Sequence, residues 1–106
     1  MTDPSNDEML DVTIAEDGAI VVRGDIDIAG GPLLEASIAR PEQTMPIVID
    51  LAGVHFIDSS GLRSLLGAVR RAKTASSHVT LRSVGPEVMR LLEITGTAGQ
   101  FQMEPS

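Results

Sequence analysis

Ile47-Val48-Ile49-Asp50-Leu51-Ala52-Gly53-Val54-His55-Phe56-Ile57-Asp58-Ser59-Ser60-Gly61-Leu62 changes its hydrophobic period part-way along. Pro46 to Leu51 is apolar on both faces, the pattern of a short strand in the middle of a parallel sheet. Ala52 to Ile57 reads as a loop. From Ser60 the spacing becomes helical and stays so to about Thr74. Leu62, Leu65, Leu66, Val69 and Ala72 form the inward stripe of that helix, while Arg63, Arg70, Arg71 and Lys73 point outward. Two adjacent hydroxyls, Ser59 and Ser60, therefore stand where a strand-exit loop turns into a helix, with an acid before them and a glycine after.

Upstream, Met9 to Ala15 alternates with Leu10, Val12 and Ile14 on one face, as a half-buried strand does. Glu16-Asp17-Gly18 is a hairpin turn, and Ala19 to Arg23 is the return strand, ending at Gly24. Asp25-Ile26-Asp27 is an acidic loop. Gly30-Gly31-Pro32 opens a helix carrying Leu33, Leu34 and Ile38, which stops near Arg40-Pro41. Downstream, His78 to Arg82 alternates with Val79 and Leu81 inward. Pro86 starts a third helix with Val88, Leu91 and Leu92, and Gly96 ends it. In the tail, Phe101 or Met103 is positioned to pin the chain to the sheet edge. The order β-β-α-β-α-β-α predicts a single α/β domain over residues 9–106, preceded by a flexible leader over residues 1–8. Its mixed sheet would have about four to five strands, an N-terminal antiparallel hairpin and parallel crossovers packed by helices.

The 106 residues include 42% apolar side chains, enough for one core, but only 2% aromatics and no Trp or Tyr. Stacking platforms for bases are therefore missing. Fifteen acids against eight bases give a net charge of −7, which argues against nucleic-acid and membrane-surface binding. An acidic face meeting a basic patch on another protein is the more natural use of that charge. No cysteine is present, so disulfides, thiolate zinc sites and cysteine nucleophiles are excluded. Met1 to Glu8 has neither a basic start nor an apolar core, and no run approaches membrane-span length; the expectation is a cytoplasmic protein.

A serine hydrolase built on Ser60 and His55 is the weakest reading, because no G-x-S-x-G elbow surrounds Ser60. Gly61 to Gly67 fails as a phosphate-binding loop, and Asp25 with Asp27 lacks a third metal ligand nearby. Helix capping by Asp58 or Ser59 accounts for one polar residue at the corner. It accounts less well for the second hydroxyl and Gly61, yet on the residues alone capping is the leading reading and presentation of a hydroxyl for modification the alternative. Ser60 is suited to phosphorylation: a phosphate there would meet the N–H groups of a helix start, with Arg63 one turn on and Asp58, Asp25 and Asp27 repelling it.

The Ile47–Leu62 run resembles the signature of STAS-domain anti-sigma factor antagonists. Gly24-Asp25-Ile26-Asp27 is similar to that family's earlier loop, and Pro86 to Gly96 to its third helix and stop; the likeness spans about Met9 to Gly96. It implies a non-enzymatic partner-switching protein of transcription regulation, as in stress response or sporulation. Such a protein binds an anti-sigma factor that is also a serine kinase and so frees the sigma factor. The kinase then phosphorylates the second serine of D-S-S-G, here Ser60, and a PP2C-type phosphatase reverses this. ATP would belong to the kinase, leaving this chain without a cofactor or metal. The implied partner face is Asp25, Asp27, Asp58, Ser59, Ser60, Gly61 and Arg63. Asp25 stands where glutamate is common, and Gly30-Gly31 replaces better helix formers. The alternative is a STAS-like ligand-binding or scaffold module whose serine is unused.

Overall fold

In a computed structural model, which describes residues 10–104, the chain forms a five-stranded sheet of order β1-β2-β3-β4-β5. The strands are β1 (Asp11–Ile14), β2 (Ile20–Arg23), β3 (Ile47–Gly53), β4 (Val79–Arg82) and β5 (Gln102–Glu104). Three α-helices connect them, α1 (Gly31–Ile38), α2 (Ser59–Thr74) and α3 (Pro86–Ile94), and a 3₁₀ turn over Ala98–Gln100 precedes β5. The expected leader over residues 1–8 and the start of the first strand at Met9 lie outside the described residues. β1 and β2 form the antiparallel hairpin, with Thr13 opposite Val21, and the remaining pairs are parallel.

The three crossovers run in one direction across the sheet. Right-handed connections therefore place all three helices on one face. Burial follows the pleat: Ile47, Ile49 and Leu51 are fully buried under the helices, whereas Val48 and Asp50 on the other face are half-buried. The expectation that β3 is covered on both faces is thus corrected. Val21, Val48, Thr80 and Arg82 occupy the uncovered side, where Arg82 pairs with Asp17 at 3.5 Å and Glu104 at 3.3 Å. The core joins Ile20, Val22, Ile49 and Leu81 to Leu34, Leu65, Val88 and Leu92, and each such burial contributes about 1.5–3 kcal/mol relative to exposure.

The Asp17 carboxylate is held below its ordinary pKa, first by the N–H of Ala19 and then by attraction to Arg82, with desolvation opposing. A depressed folded-state pKa supplies stability above the unfolded value and loses it as pH falls. Asp17→Asn should therefore be less stable than the wild-type chain near neutral pH and converge with it below about pH 4, read from urea midpoints across pH.

Several elements differ in detail from the sequence expectation. β5 has no apolar alternation and was not expected as a strand; β4 templates it, with Thr80 opposite Gln102. Phe101 is the tail residue in the core, while Met103 is 39% exposed. In α2 the buried stripe is centred on Leu65, Ala68 and Ala72, with Ser64 included and Leu66 at its margin. In α1, Leu34 and Ile38 are buried, but Leu33 is turned outward. α3 stops as expected: Gly96 takes φ +71 and donates its N–H to the Glu93 carbonyl.

Candidate functional site

Two loops run side by side at the carboxyl ends of β2 and β3. The Ile26 N–H donates to the Phe56 carbonyl at 3.1 Å, and the Asp58 N–H donates back to the Ile26 carbonyl at 3.3 Å. Ile26 and Ile57 thereby form a parallel bridge beyond the named strands, and both are buried. The acidic segment expected as a plain loop is thus an extension of the sheet, clamped at its apolar residue. Its flanking acids, Asp25 and Asp27, stay half-exposed.

Each loop hands the chain to a helix through an aspartate. Asp27 Oδ1 accepts from the N–H groups of Ala29 at 3.1 Å and Gly30 at 2.9 Å, just before α1. Asp58 is the N-cap of α2 in extended conformation, and its Oδ1 accepts from the Gly61 N–H at 2.9 Å. Of the two candidates for the cap, Asp58 performs it. Ser59 is the first helical residue and is exposed; the helix begins one residue earlier than its apolar spacing indicated. Asp58→Ala should lower stability by about 1 kcal/mol in urea unfolding, the usual cost of losing an aspartate cap.

Gly61 is dictated by space. A Cβ there would collide with the Ile26 carbonyl oxygen and lie 2.7 Å from Ile26 Cγ2 and 2.8 Å from Ile57 Cγ1. The glycine lets the first turn of α2 press directly onto the clamped loop. Gly31 does the same between helices: its added Cβ would lie 2.9 Å from Ser64 Oγ. The two glycines that weakened the sequence case for α1 are buried contacts.

These approaches leave a cavity of about 180 Å³ lined by Asp27, Ile28, Glu35, Ser60, Arg63 and Ser64, among others. Ser60 is half-exposed there, as the second residue of α2. Among the described residues the N–H groups of Ser59 and Ser60 have no protein acceptor, because the first backbone bond of the helix is Leu62 to Asp58. Arg63 is exposed and makes no ion pair among those residues. Asp27, Ser60 and Arg63 are thus brought together around one cavity. Asp58 and Gly61 lie beneath it as structural parts of the corner, and Asp25 is not among its lining residues.

Sequence reading missed Glu35 and Ser64. Ser64 is buried and donates to Glu35 Oε2 at 3.2 Å, tying α1 to α2 below Ser60. The available signal was a serine set within the leucine stripe, one turn after Ser60. His55 belongs to a separate pocket with Val54, Gly85, Pro86 and Glu87, and no hydrogen bond joins it to Ser60 among the described residues. The geometry of a serine–histidine pair is not formed. No helix among these residues is long and apolar enough to cross a membrane.

Known proteins resemble this chain in sequence and in fold. The anti-sigma-B factor antagonist of Bacillus subtilis (strain 168) is 30% identical over 76 residues, covering 71% of this chain and 70% of that protein. A crystal structure of an anti-sigma factor antagonist from Mycobacterium paratuberculosis is 27% identical with a TM-score of 0.76, covering 100% of this chain and 92% of that one. The Bacillus cell fate determinant SpoIIAA, solved in its phosphorylated form, shares the fold at 19% identity and a TM-score of 0.67, over 92% of this chain and 90% of that one. Residues 10–106 match the STAS domain, and since that match takes in both clamped loops, the capped helix and the C-terminal strand, the chain belongs to the STAS domain family.

Proposed function

We propose that this chain is an anti-sigma factor antagonist switched by phosphorylation of Ser60. Its partner is an anti-sigma factor that is also a serine kinase. Binding of the unphosphorylated chain frees the sigma factor. The kinase then transfers the γ-phosphoryl group of its ATP to Ser60 Oγ; the hydroxyl proton passes to a kinase base and ADP departs. A PP2C-type phosphatase hydrolyses the ester, returning serine and inorganic phosphate. ATP and sigma factors both act in the cytoplasm, which is where this cycle runs.

The observation that carries the reading is the division of labour at the corner. Asp58, Gly61 and the Ile26 clamp hold the turn, and Ser60 is left with a half-exposed hydroxyl that no hydrogen bond among the described residues employs. The N–H groups of Ser59 and Ser60 and the guanidinium of Arg63 are positioned to receive a phosphate without displacing the cap. Asp25, Asp27, Ser59 and Arg63 are the exposed or half-exposed members of the recognised surface, while Asp58 and the buried Gly61 serve it by holding the corner. The names of the Bacillus and Mycobacterium relatives support the same assignment.

A small-molecule module is the competing use of this fold. The cavity beside Ser60, at about 180 Å³, falls below the roughly 300–1,000 Å³ of ordinary ligand pockets, which favours a protein partner. The test is incubation with ATP and purified anti-sigma factor kinases of the source organism, followed by peptide mass spectrometry. One phosphate on Ser60, absent from Ser60→Ala, is expected. Phosphate on Ser59, or none with a kinase that is active on itself or another antagonist, contradicts the proposal.

A further inference from the structure

We infer that the outer face of α2, centred on Arg63, Arg70 and Arg71, is a docking surface for an acidic patch on the protein that recognises Ser60. The inference rests on the partner-switching reading and adds the chemistry of the partner's face.

Charge on this chain is not spread evenly. Only eight residues are basic against fifteen acidic, yet Arg63, Arg70, Arg71 and Lys73 all lie on one helix. Arg63 and Arg70 are seven positions apart, so they line up two turns along α2, about 10 Å from one another. They point directly away from the buried Leu65, Ala68 and Ala72, and all four basic side chains are exposed. None is in an ion pair among the described residues.

Helix stability explains part of this set. Arg71 and Lys73 fall in the last turn, where a cation suits the dipole. Arg63 does not fit that explanation. It stands near the N-terminal end, in a helix whose first turn carries no acid, so the dipole disfavours it. Arg63 also lines the cavity of Ser60, which makes the basic face continuous with the switch.

Across that cavity stand Asp27 and Glu35. The cavity thus carries acids from the Asp27–α1 segment and, from α2, Arg63 beside Ser60. Such a bipolar surface orients a partner of opposite layout and speeds its approach. An acidic patch is the complement of these arginines, of which Arg71 also donates to the Ala39 carbonyl at 3.5 Å; an acidic protein of net charge −7 is a poor ligand for nucleic acid or anionic lipid. A phosphate on Ser60 would draw Arg63 to itself and remove one arginine from the docking face, so the modification would weaken the contact beyond its own bulk.

The experiment is stopped-flow association of the unphosphorylated chain with the kinase that modifies it, across a range of salt concentrations. Arg70→Glu should slow association roughly tenfold at low ionic strength and flatten the salt dependence, with an unchanged thermal midpoint. Arg23→Glu makes the same charge change on the exposed sheet side and should leave the rate within about twofold. Equal slowing by both variants, no slowing by Arg70→Glu, or faster association would overturn the inference while leaving the switch intact. Binding of the wild-type chain to duplex DNA or phosphatidylglycerol vesicles, lost in Arg70→Glu, would reassign the face to those ligands. If no such kinase binds the unsubstituted chain, the functional reading falls and this inference with it.

Discussion

Gly61→Ala should destabilise the protein by about 2–3 kcal/mol, although alanine is the better helix former by roughly 1 kcal/mol. The added methyl group meets a backbone oxygen, which cannot rotate away as a side chain would. Relieving the clash means moving Ile26, and that segment is held by its bonds to Phe56 and Asp58. Overpacking typically costs about 1–3 kcal/mol, and each loosened hydrogen bond adds about 0.5–1.5 kcal/mol. These losses exceed the gain in propensity. For a domain of this size the thermal midpoint should fall by roughly 10–20 °C. Gly67 is the control on the same helix. Its added Cβ would meet nothing nearer than Arg70 Nη2 at 3.6 Å, so Gly67→Ala should stabilise by about 0.5–1 kcal/mol. Two glycine-to-alanine changes in one helix are thus expected to have opposite signs. Thermal or urea unfolding of both variants checks this, and equal stability of the two would contradict the close packing of α2 on the Ile26 loop.

Phosphorylation of Ser60 should lower affinity for the kinase at least about a hundredfold, or 2.7 kcal/mol, while leaving the fold in place. The phosphate brings a charge of roughly −1.5 to −2 at neutral pH. On the free chain that charge would meet the helix N–H groups and Arg63, an arrangement worth about 0.3–1 kcal/mol in favour of the helix. In a complex the same dianion must lose water beside Asp27 and Glu35, and imperfectly compensated buried charge costs several kcal/mol. The change therefore falls on binding and not on folding. Ser60→Ala should retain kinase affinity within a few fold. Ser60→Asp should weaken it, though less than phosphate, because it carries one charge on a shorter stem. Circular dichroism and unfolding midpoints of all forms should agree closely.

Much of this architecture is legible in local sequence. The apolar run at Ile47, the leucine stripe of α2, the Asp17-Gly18 turn and the Pro86 and Gly96 boundaries are set by spacing and punctuation within a few residues. What escaped depends on contacts distant in sequence. Ile26 looks like one apolar residue in an acidic loop, and its burial arises from pairing with Ile57. Gln102-Met103-Glu104 has no strand pattern, and β4 imposes one on it. Val48 is apolar whether or not a helix covers it; the direction of the crossovers leaves it uncovered. At the site, a cap at Asp58 or Ser59, the hydroxyl pair and Arg63 could be read directly, and the fold decides the cap for Asp58. The need for Gly61, and the Ser64–Glu35 link under Ser60, exist only once β2 and α1 are folded against α2.

The most direct measurement is calorimetric titration of one anti-sigma factor kinase with this chain in two forms, unmodified and stoichiometrically phosphorylated on Ser60. The unmodified form should bind, and the phosphorylated form should bind at least about a hundredfold more weakly, with full affinity restored by a PP2C-type phosphatase. Equal affinity of the two forms would contradict a switch at Ser60.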